Sequence, residues 1–394
     1  MRAYPELGDI FRAYGPAYRQ VYGKELPVRH LRTMGAIERC RTAELGGHVE
    51  ACDECGALRI AYNSCRNRHC PKCQGLDKER WLEARKTEVL STRYFHPVFT
   101  LPDRLRPLAL RNQGVVYTVL FRAVSETLKE LAKDPKHLGA EIGFIAILHS
   151  WSQTLIDHLH IHCIVPGGGL SLDGKRWISF RKRFFIRAEV LSRLFRGKFL
   201  AYLKRAYGAG KLIFPGTIKR LKGKVAFERF LTELYRVEWV VNCKPPLHSA
   251  EEVIDYLGRY THRVALSNDR IVRFKHGQVT FRYRDSNDSD KIKLLSLDVF
   301  EFIRRFLLHI LPEGFVKIRH YGLLSNRNRK AKLQRCRELL GVQMEQDKEK
   351  RRKETWQELL ARITGIDPRL CPHCGEGKMV LREILVPQGH RGPP

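Results

Sequence analysis

The sequence contains the stretch Asp157-His158-Leu159-His160-Ile161-His162-Cys163-Ile164-Val165-Pro166-Gly167-Gly168-Gly169. In it, histidine and apolar residues alternate before a proline and three glycines. Successive side chains of a β-strand point to opposite faces, so the three histidines share one face and the apolar residues pack beneath. The pattern predicts a strand over 158–165. Imidazoles aligned on one face form a metal site, for which His160 and His162 are the first candidates; the alternative is a plain solvent face.

The chain around this strand mixes helical and strand patterns without a regular alternation of the two. Apolar spacing and turn signals predict helices over 113–133 and 187–207, strands over 94–101, 142–148 and 237–242, and hairpins over 170–178 and 271–283. Such a mixture favours an α+β fold in which helices cover one side of an antiparallel sheet.

A second motif follows the glycines and predicts a helix. Ser249 precedes Glu252 by three residues, which is a capping box, so the helix begins here. Tyr256 and Tyr260 then lie one turn apart on the same face, either as core residues or as nucleophiles. A phenol, with a pKa of about 10, attacks phosphate only when a metal polarises the phosphate and a basic residue lowers that pKa. The basic residues of this helix, which could also neutralise phosphate, are Arg259 and Arg263.

The cysteines cluster in a way that indicates metal binding. Cys52-x2-Cys55 and Cys70-x2-Cys73 are separated by fourteen residues, and two such thiolate pairs can close one tetrahedral, structural Zn²⁺. The residues interleaved with these pairs could hold a second zinc or be spare: Cys40, His48, Cys65 and His69. The late pair of Cys371 and Cys374 is half a site, which His373, His390 or a partner chain could complete, or which could carry no metal.

The charge balance indicates a polyanionic partner. The 394 residues include 72 Lys and Arg against 42 Asp and Glu, a formal net charge of +30. Because the basic residues occur in many blocks along the chain, nucleic acid is favoured over an anionic membrane. The candidate phosphate contacts are Arg59, Arg66, Arg68 and Lys72 beside the cysteines, and Arg327, Arg329 and Lys330 in the basic stretch 317–337.

Composition also divides the chain and predicts where it resides. Residues 1–88 are expected to form a zinc-binding, DNA-contacting module, residues 89–324 the main α+β domain, and residues 325–394 a basic C-terminal extension. No stretch has the roughly 20 apolar residues that span a bilayer, and the first residues lack the apolar core of a signal peptide. We therefore expect a cytoplasmic, nucleoid-associated protein without membrane contact. The oligomeric state is left open.

These motifs together resemble a known superfamily. The His-x-His pair followed by Tyr-x-x-x-Tyr resembles the HUH endonucleases, in particular the two-tyrosine rolling-circle transposases of the bacterial insertion-sequence ninety-one family. The resemblance extends over most of the chain, through the blocks CDECG, NSCRNRHCPKCQ, HSWSQTL, HIHCIVPGGGLS, YLGRYTHRVALS and RHYGLLSNRNRK.

The resemblance implies both a fold and a reaction. The fold is a ferredoxin-like antiparallel sheet with helices, whose His160 and His162 hold a divalent Mg or Mn ion. Tyr256 and Tyr260 are the nucleophiles, which cut single-stranded DNA at transposon ends and form a 5′-phosphotyrosine link. The third metal ligand is left open among His149, Gln153, Asp157 and His158. Alternatives are a relaxase or rolling-circle replication initiator, or a non-catalytic, zinc-stabilised DNA-binding protein.

Overall fold

The computed structural model describes residues 4–180, 186–260, 265–285, 288–342 and 354–388, with only the backbone described for Ala250, Arg259 and Tyr260. The helices, in chain order, are α1 (Leu7–Tyr22), α2 (Val28–Arg39), α3 (Gln74–Lys86), α4 (Arg106–Arg111), α5 (Gln113–Lys133), α6 (Ala188–Gly208), α7 (Lys224–Arg236), α8 (Ala250–Tyr260), α9 (Val299–Leu308), α10 (Arg329–Leu339) and α11 (Trp356–Thr364). The strands are β1 (Gly47–Cys52), β2 (Leu58–Tyr62), β3 (Tyr94–Thr100), β4 (Ala140–Glu141), β5 (Gly143–Trp151), β6 (Asp157–Pro166), β7 (Gly168–Ser171), β8 (Trp177–Ser179), β9 (Val241–Leu247), β10 (Ile271–Lys275), β11 (Gln278–Asp285), β12 (Lys291–Asp298), β13 (Ile318–Gly322) and β14 (Met379–Leu385).

The chain forms two compact units, each assembled from separate segments. The first unit contains Met1–Trp81, His262–Ile310 and Gln346–Pro394, and the second contains Leu82–Thr261 and Leu311–Glu345. The sequence predicts three consecutive domains instead. The difference arises because β14 pairs with β1 and because α9 packs on α1, so that late segments join the N-terminal one.

The second unit is built on a five-stranded sheet in the order β13-β5-β6-β3-β9, whose neighbouring strands are antiparallel. The apolar residues of β6 that alternate with the histidines belong to one large core together with α5 and α6. Ile161 and Cys163 are fully buried there, as are Phe195 and Phe199 of α6. The α+β class with an antiparallel sheet, predicted from the sequence, is confirmed.

Most of the predicted elements in this unit are present, and one strand is displaced. Helix α5 spans the predicted residues, whereas the strand predicted over 237–242 begins only at Val241. Residues 237–239 do not join the sheet because their carbonyls bind side chains of α6: Arg196 donates to Val237 and Ser192 to Trp239. The Trp239 ring is buried and its Nε1 donates to the Leu234 carbonyl at the end of α7.

The first unit is built on smaller sheets than the second. It contains two three-stranded sheets, in the orders β14-β1-β2 and β10-β11-β12. Helix α1 packs on α9 through aromatic contacts, of which Phe11 against Phe306 has a ring-centroid distance of 5.5 Å. Strands β2 and β14 are largely exposed, so that this part of the unit buries little apolar surface of its own. Among the described helices, none is long and apolar enough to cross a bilayer.

Candidate active site and metal centres

Strands β5 and β6 bring three histidines together on one face of the main sheet. His149 of β5 lies directly opposite His160 of β6 in the antiparallel register, and His162 follows two residues later on the same face. The ligand nitrogens of these three side chains all lie within 4.8 Å of one another. His149, one of four residues between which the sequence does not decide, thus joins the pair. We call these three residues the histidine set.

The other three candidates for a third ligand lie on β6 or in the turn that precedes it. His158 precedes His160 on β6, with its ring centroid 5.0 Å from that of His160, but it is not part of the set. Asp157 is buried at the start of β6, and burial raises the pKa of its carboxyl to about 7. Gln153 lies in the turn between β5 and β6.

The surroundings of the histidine set favour the neutral form of His160 and His162. Burial lowers the pKa of His160 to about 4, and the neighbouring His158 adds to the effect. Burial also lowers the pKa of His162 well below its ordinary value, with a further contribution from His149. The Nδ1 of His160 donates to the His158 carbonyl at 2.8 Å, which leaves Nε2 with the lone pair. Neutral imidazoles oriented by a second hydrogen bond are the form in which histidine binds a metal.

The hydroxyl of Tyr256 reaches the same site from α8. This hydroxyl lies 3.1 Å from Nδ1 of His162 and also forms a hydrogen bond with Nε2 of His96. The Tyr256 side chain is buried, with 8% of its surface exposed. The helix begins at the predicted capping residue: the Glu252 N–H donates to the Ser249 hydroxyl at 3.1 Å. A tyrosine far from the histidines in sequence is therefore in contact with them in the fold.

His96 also belongs to this site, and it is not among the residues predicted from the sequence. It lies on β3, which pairs with β6, and its Nε2 is 2.9 Å from Nδ1 of His162. Burial, and secondly the charge of Lys244, lowers the pKa of His96 to about 3. The signal that could have identified it is a histidine inside an otherwise apolar strand, since a fully buried imidazole needs polar partners.

The remaining residues predicted on α8 are not placed. The side chains of Arg259 and Tyr260, and the whole of Arg263, lie outside the described residues. The contact of the second tyrosine and the phosphate contacts of these arginines stay predictions.

The cysteines form two sets of four thiols, and this corrects the grouping expected from sequence. Cys70 and Cys73 meet Cys40 and Cys65, with Sγ–Sγ distances of 3.5 to 3.6 Å. Cys52 and Cys55 instead meet the late pair, Cys371 and Cys374. The predicted single site fails because β1 and β2 form a hairpin that places the Cys52 turn beside β14. We call these the N-terminal thiol set and the end-to-end thiol set.

The two histidines considered for a second zinc are in neither set. His48 lies on β1, where its Nε2 is 3.6 Å from Glu50, and His69 lies next to Cys70 without joining the four thiols. All eleven cysteines of the chain are free thiols. Thiolate sets of this kind suit Zn²⁺, which takes four sulfur ligands in structural sites.

The basic residues predicted to contact phosphate differ in what they already bind. Lys72 pairs with Glu6 at 2.5 Å and Arg329 with Glu88 at 3.2 Å, so both have carboxylate partners within their own units. Arg59 likewise pairs with Glu50. Arg68 is half-buried, and burial lowers its pKa. The exposed side chains are those of Arg66, Arg327 and Lys330.

Comparison with known proteins finds two matching families, one for each of two consecutive parts of the chain. Residues 10–101 match the transposase zinc-binding domain family, and residues 143–332 match the family described as "Putative transposase". The protein y4qJ of Sinorhizobium fredii, which carries the same description, is 51% identical over 393 residues, covering 100% of this chain and 98% of the relative. The transposase of insertion sequence element IS801 from Pseudomonas savastanoi pv. phaseolicola is 26% identical over 306 residues, covering 75% of this chain and 70% of that protein.

The matched regions contain the sites described above. The zinc-binding match includes the whole N-terminal thiol set, and the second match includes the histidine set and Tyr256. A relative this similar over its full length establishes the family, and with it the class of a DNA-cleaving enzyme whose partner is DNA. The chain belongs to the insertion-sequence ninety-one family of transposases and carries that family's N-terminal zinc-binding domain.

Proposed function

We propose that this transposase cuts and rejoins single-stranded DNA at transposon ends by tyrosine transesterification, with Tyr256 as the nucleophile. The observation that carries the proposal is the contact of the Tyr256 hydroxyl with His162 and His96, beside the other imidazoles of the histidine set. A core tyrosine would satisfy its hydroxyl with any acceptor. A nucleophile must lie where the attacked phosphate is bound and polarised.

The reaction conserves the energy of the phosphodiester bond. The Tyr256 oxygen bonds to phosphorus as the bond to the 3′ oxygen breaks, giving a 5′-phosphotyrosine and a free 3′-hydroxyl. The phenol loses one proton and the leaving 3′ oxygen gains one, so the step is balanced in protons. Because one phosphodiester bond replaces another, no ATP is needed. Attack by a 3′-hydroxyl on the same phosphotyrosine reverses the step and joins DNA ends.

His149, His160 and His162 are the residues that would hold the divalent metal. Their three imidazoles on one face fit such an ion, and burial favours the neutral form of His160 and His162. A set made only of nitrogen ligands favours Mn²⁺ over Mg²⁺, which prefers oxygen. The ion would polarise the scissile phosphate as a Lewis acid. The chain's own part is to place the phenol: His96 binds the hydroxyl of Tyr256 and keeps it against the histidine set.

The remaining predicted residues receive supporting roles. Tyr260, one helical turn after Tyr256, would carry the second strand transfer before the first link is released. Arg259 and Arg263 would neutralise the phosphate that Tyr256 attacks, and the exposed Arg66, Arg327 and Lys330 would contact the DNA backbone.

Adduct formation tests the proposal. The full-length protein is incubated with labelled single-stranded oligonucleotides from both ends of its element, with Mn²⁺ or Mg²⁺, and then run on a denaturing gel. We expect a protease-sensitive band of protein-linked DNA and a product with a free 3′-hydroxyl. The double variant His160→Ala plus His162→Ala should form no adduct while still folding. The matched control is His137→Ala, an exposed histidine of the same unit, which should leave the adduct unchanged.

A protein that binds these oligonucleotides but forms no adduct with either metal would overturn the proposal. A DNA-binding protein without catalysis would then be the better description.

A further inference from the structure

Two segments of the first unit that are far apart in the chain have the same local structure. Cys52 and Cys371 each begin a Cys-x-x-Cys-Gly turn. The glycines that close them, Gly56 and Gly375, have φ angles of 71° and 79°, in the left-handed region that glycine adopts without strain. In each turn the glycine N–H donates to the carbonyl of the first cysteine, at 3.1 and 3.0 Å. Both turns are therefore closed in the same way.

Backbone N–H groups in both turns point at sulfur. The Cys55 N–H donates to Cys52 Sγ, and the His373 N–H donates to Cys371 Sγ, each at 3.4 Å. The Gly377 N–H donates to Cys374 Sγ at 3.4 Å. Such bonds favour the negatively charged thiolate over the neutral thiol, and the thiolate is the form that binds a metal.

The four sulfur atoms have the spacing of a tetrahedral metal site. The Sγ atoms of Cys52 and Cys374 are 3.7 Å apart, as are those of Cys55 and Cys371. A zinc ion with four sulfur ligands at about 2.3 Å sets neighbouring sulfurs roughly 3.8 Å apart. A disulfide would bring two of them to about 2.05 Å, and none is formed.

Backbone contacts hold the two turns face to face. Cys52 pairs with Met379 in the β1–β14 ladder, and the Asp53 N–H donates to the Lys378 carbonyl at 3.0 Å. The Lys378 N–H returns a bond to the Asp53 carboxylate at 2.6 Å. A Cβ at Gly377 would overlap Cys52 Sγ, so only glycine fits beside this sulfur.

We propose that Cys52, Cys55, Cys371 and Cys374 bind a second structural zinc, separate from that of the N-terminal thiol set, which ties the segment 354–388 to the N-terminal module. Four thiolates leave no open position, so this zinc takes no part in strand cleavage. The proposal is independent of the function proposed for Tyr256. It makes the late cysteine pair part of the zinc module, although Cys371 lies 316 positions after Cys55 in the chain.

Metal content tests the proposal on the full-length protein. Zinc and iron per chain are measured by elemental analysis for the wild type and for Cys371→Ser plus Cys374→Ser. We expect the double variant to lose one zinc per chain. The matched control is Cys243→Ser, a half-buried thiol outside both sets, which should lose none. An unchanged zinc content in the double variant, or iron in place of zinc, would overturn the assignment.

Thiol reactivity of the wild type gives a second test that needs no variant. Cys55 is exposed, so burial alone does not shield it from an alkylating reagent. If zinc is bound, Cys55 and Cys371 should react at least about tenfold more slowly than the same cysteines in short peptides of residues 52–56 and 371–378. A chelator should remove that protection from both together. Reaction of Cys55 at the peptide rate before chelation would contradict the proposal.

Discussion

The histidine set and the two thiol sets differ in what holds them in place. The histidines lie on adjacent strands of one hairpin, over a sheet whose other face belongs to a large apolar core. The thiols come from segments between Cys40 and Cys374, and the strands beside them, β2 and β14, are mostly exposed. We therefore expect the scaffold of the histidine set to fold without metal, and bound metal to supply much of the stability around the two thiol sets.

Removing metal should therefore affect the two regions differently, and this is the largest expected effect. Chelation of the full-length protein should unfold the thiol-bound part of the first unit, with a loss on the order of 10 kcal/mol of metal-linked folding energy. The sheet with the histidine set should remain folded. Hydrogen exchange measures both: amides of β1 and β2 should lose protection while those of β5 and β6 keep it. Protection of β1 that survives complete zinc removal would contradict the comparison.

A cavity in the apolar core should destabilise the second unit and leave the zinc content unchanged. Phe199 is fully buried and packs edge-on against Trp239, with ring centroids 5.2 Å apart. Phe199→Ala should destabilise the second unit by about 3–5 kcal/mol, because the lost contacts leave a cavity. Denaturant unfolding and zinc analysis check this, with zinc per chain unchanged. Val225→Ala, at a position that is 85% exposed, should leave stability within about 0.5 kcal/mol.

Acid should weaken the first unit through a buried histidine. Burial, with the charge of Arg29, lowers the pKa of His30 on α2 to about 4, against 6.5 for the ordinary side chain. Because the unfolded chain takes up the proton first, stability should fall as the pH drops from about 6.5 to 4, by roughly 3 kcal/mol.

His30→Leu isolates this effect, because both ring nitrogens of His30 lack a hydrogen-bond partner among the described residues. The difference in unfolding free energy between wild type and variant should change across this pH range and be constant above it. A difference that does not vary with pH would assign the acid sensitivity to other groups.

Substitutions of His96 separate effects on the reaction from effects on the fold within the second unit. As a positioning residue it should affect the reaction and not the fold: His96→Ala should slow adduct formation by about 10- to 100-fold. His96→Gln, which can still bind the Tyr256 hydroxyl, should restore part of the rate. Metal affinity and thermal stability are measured beside the rate. Equal losses in both variants, with lowered stability, would indicate a merely structural role.

The parts of the fold that the sequence predicts are those encoded locally. Helix α5 and the start of α8 follow from apolar spacing and from a capping box, and β6 follows from its alternation. The pairing of distant segments is not encoded in this way. The contact of His96 with His162 depends on β3 lying beside β6, and the end-to-end thiol set depends on β14 lying beside β1.

The third histidine of the histidine set is only partly predictable from the sequence. His149 is visible in the sequence as one candidate among four, and only the register of β5 against β6 places it opposite His160. The cysteine spacing is misleading for a related reason, since two pairs close together in the chain are each completed by thiols from elsewhere.

The central claim is that the tyrosine held at the histidine set becomes linked to DNA, and peptide mapping of the trapped adduct tests it most directly. Protein-linked DNA is digested with nuclease and protease, and the peptide carrying the residual nucleotide is sequenced by mass spectrometry. We predict the modification on Tyr256, its loss in Tyr256→Phe, and its persistence in Tyr260→Phe. A nucleotide on a residue outside α8, or a full adduct yield from Tyr256→Phe, would contradict the account.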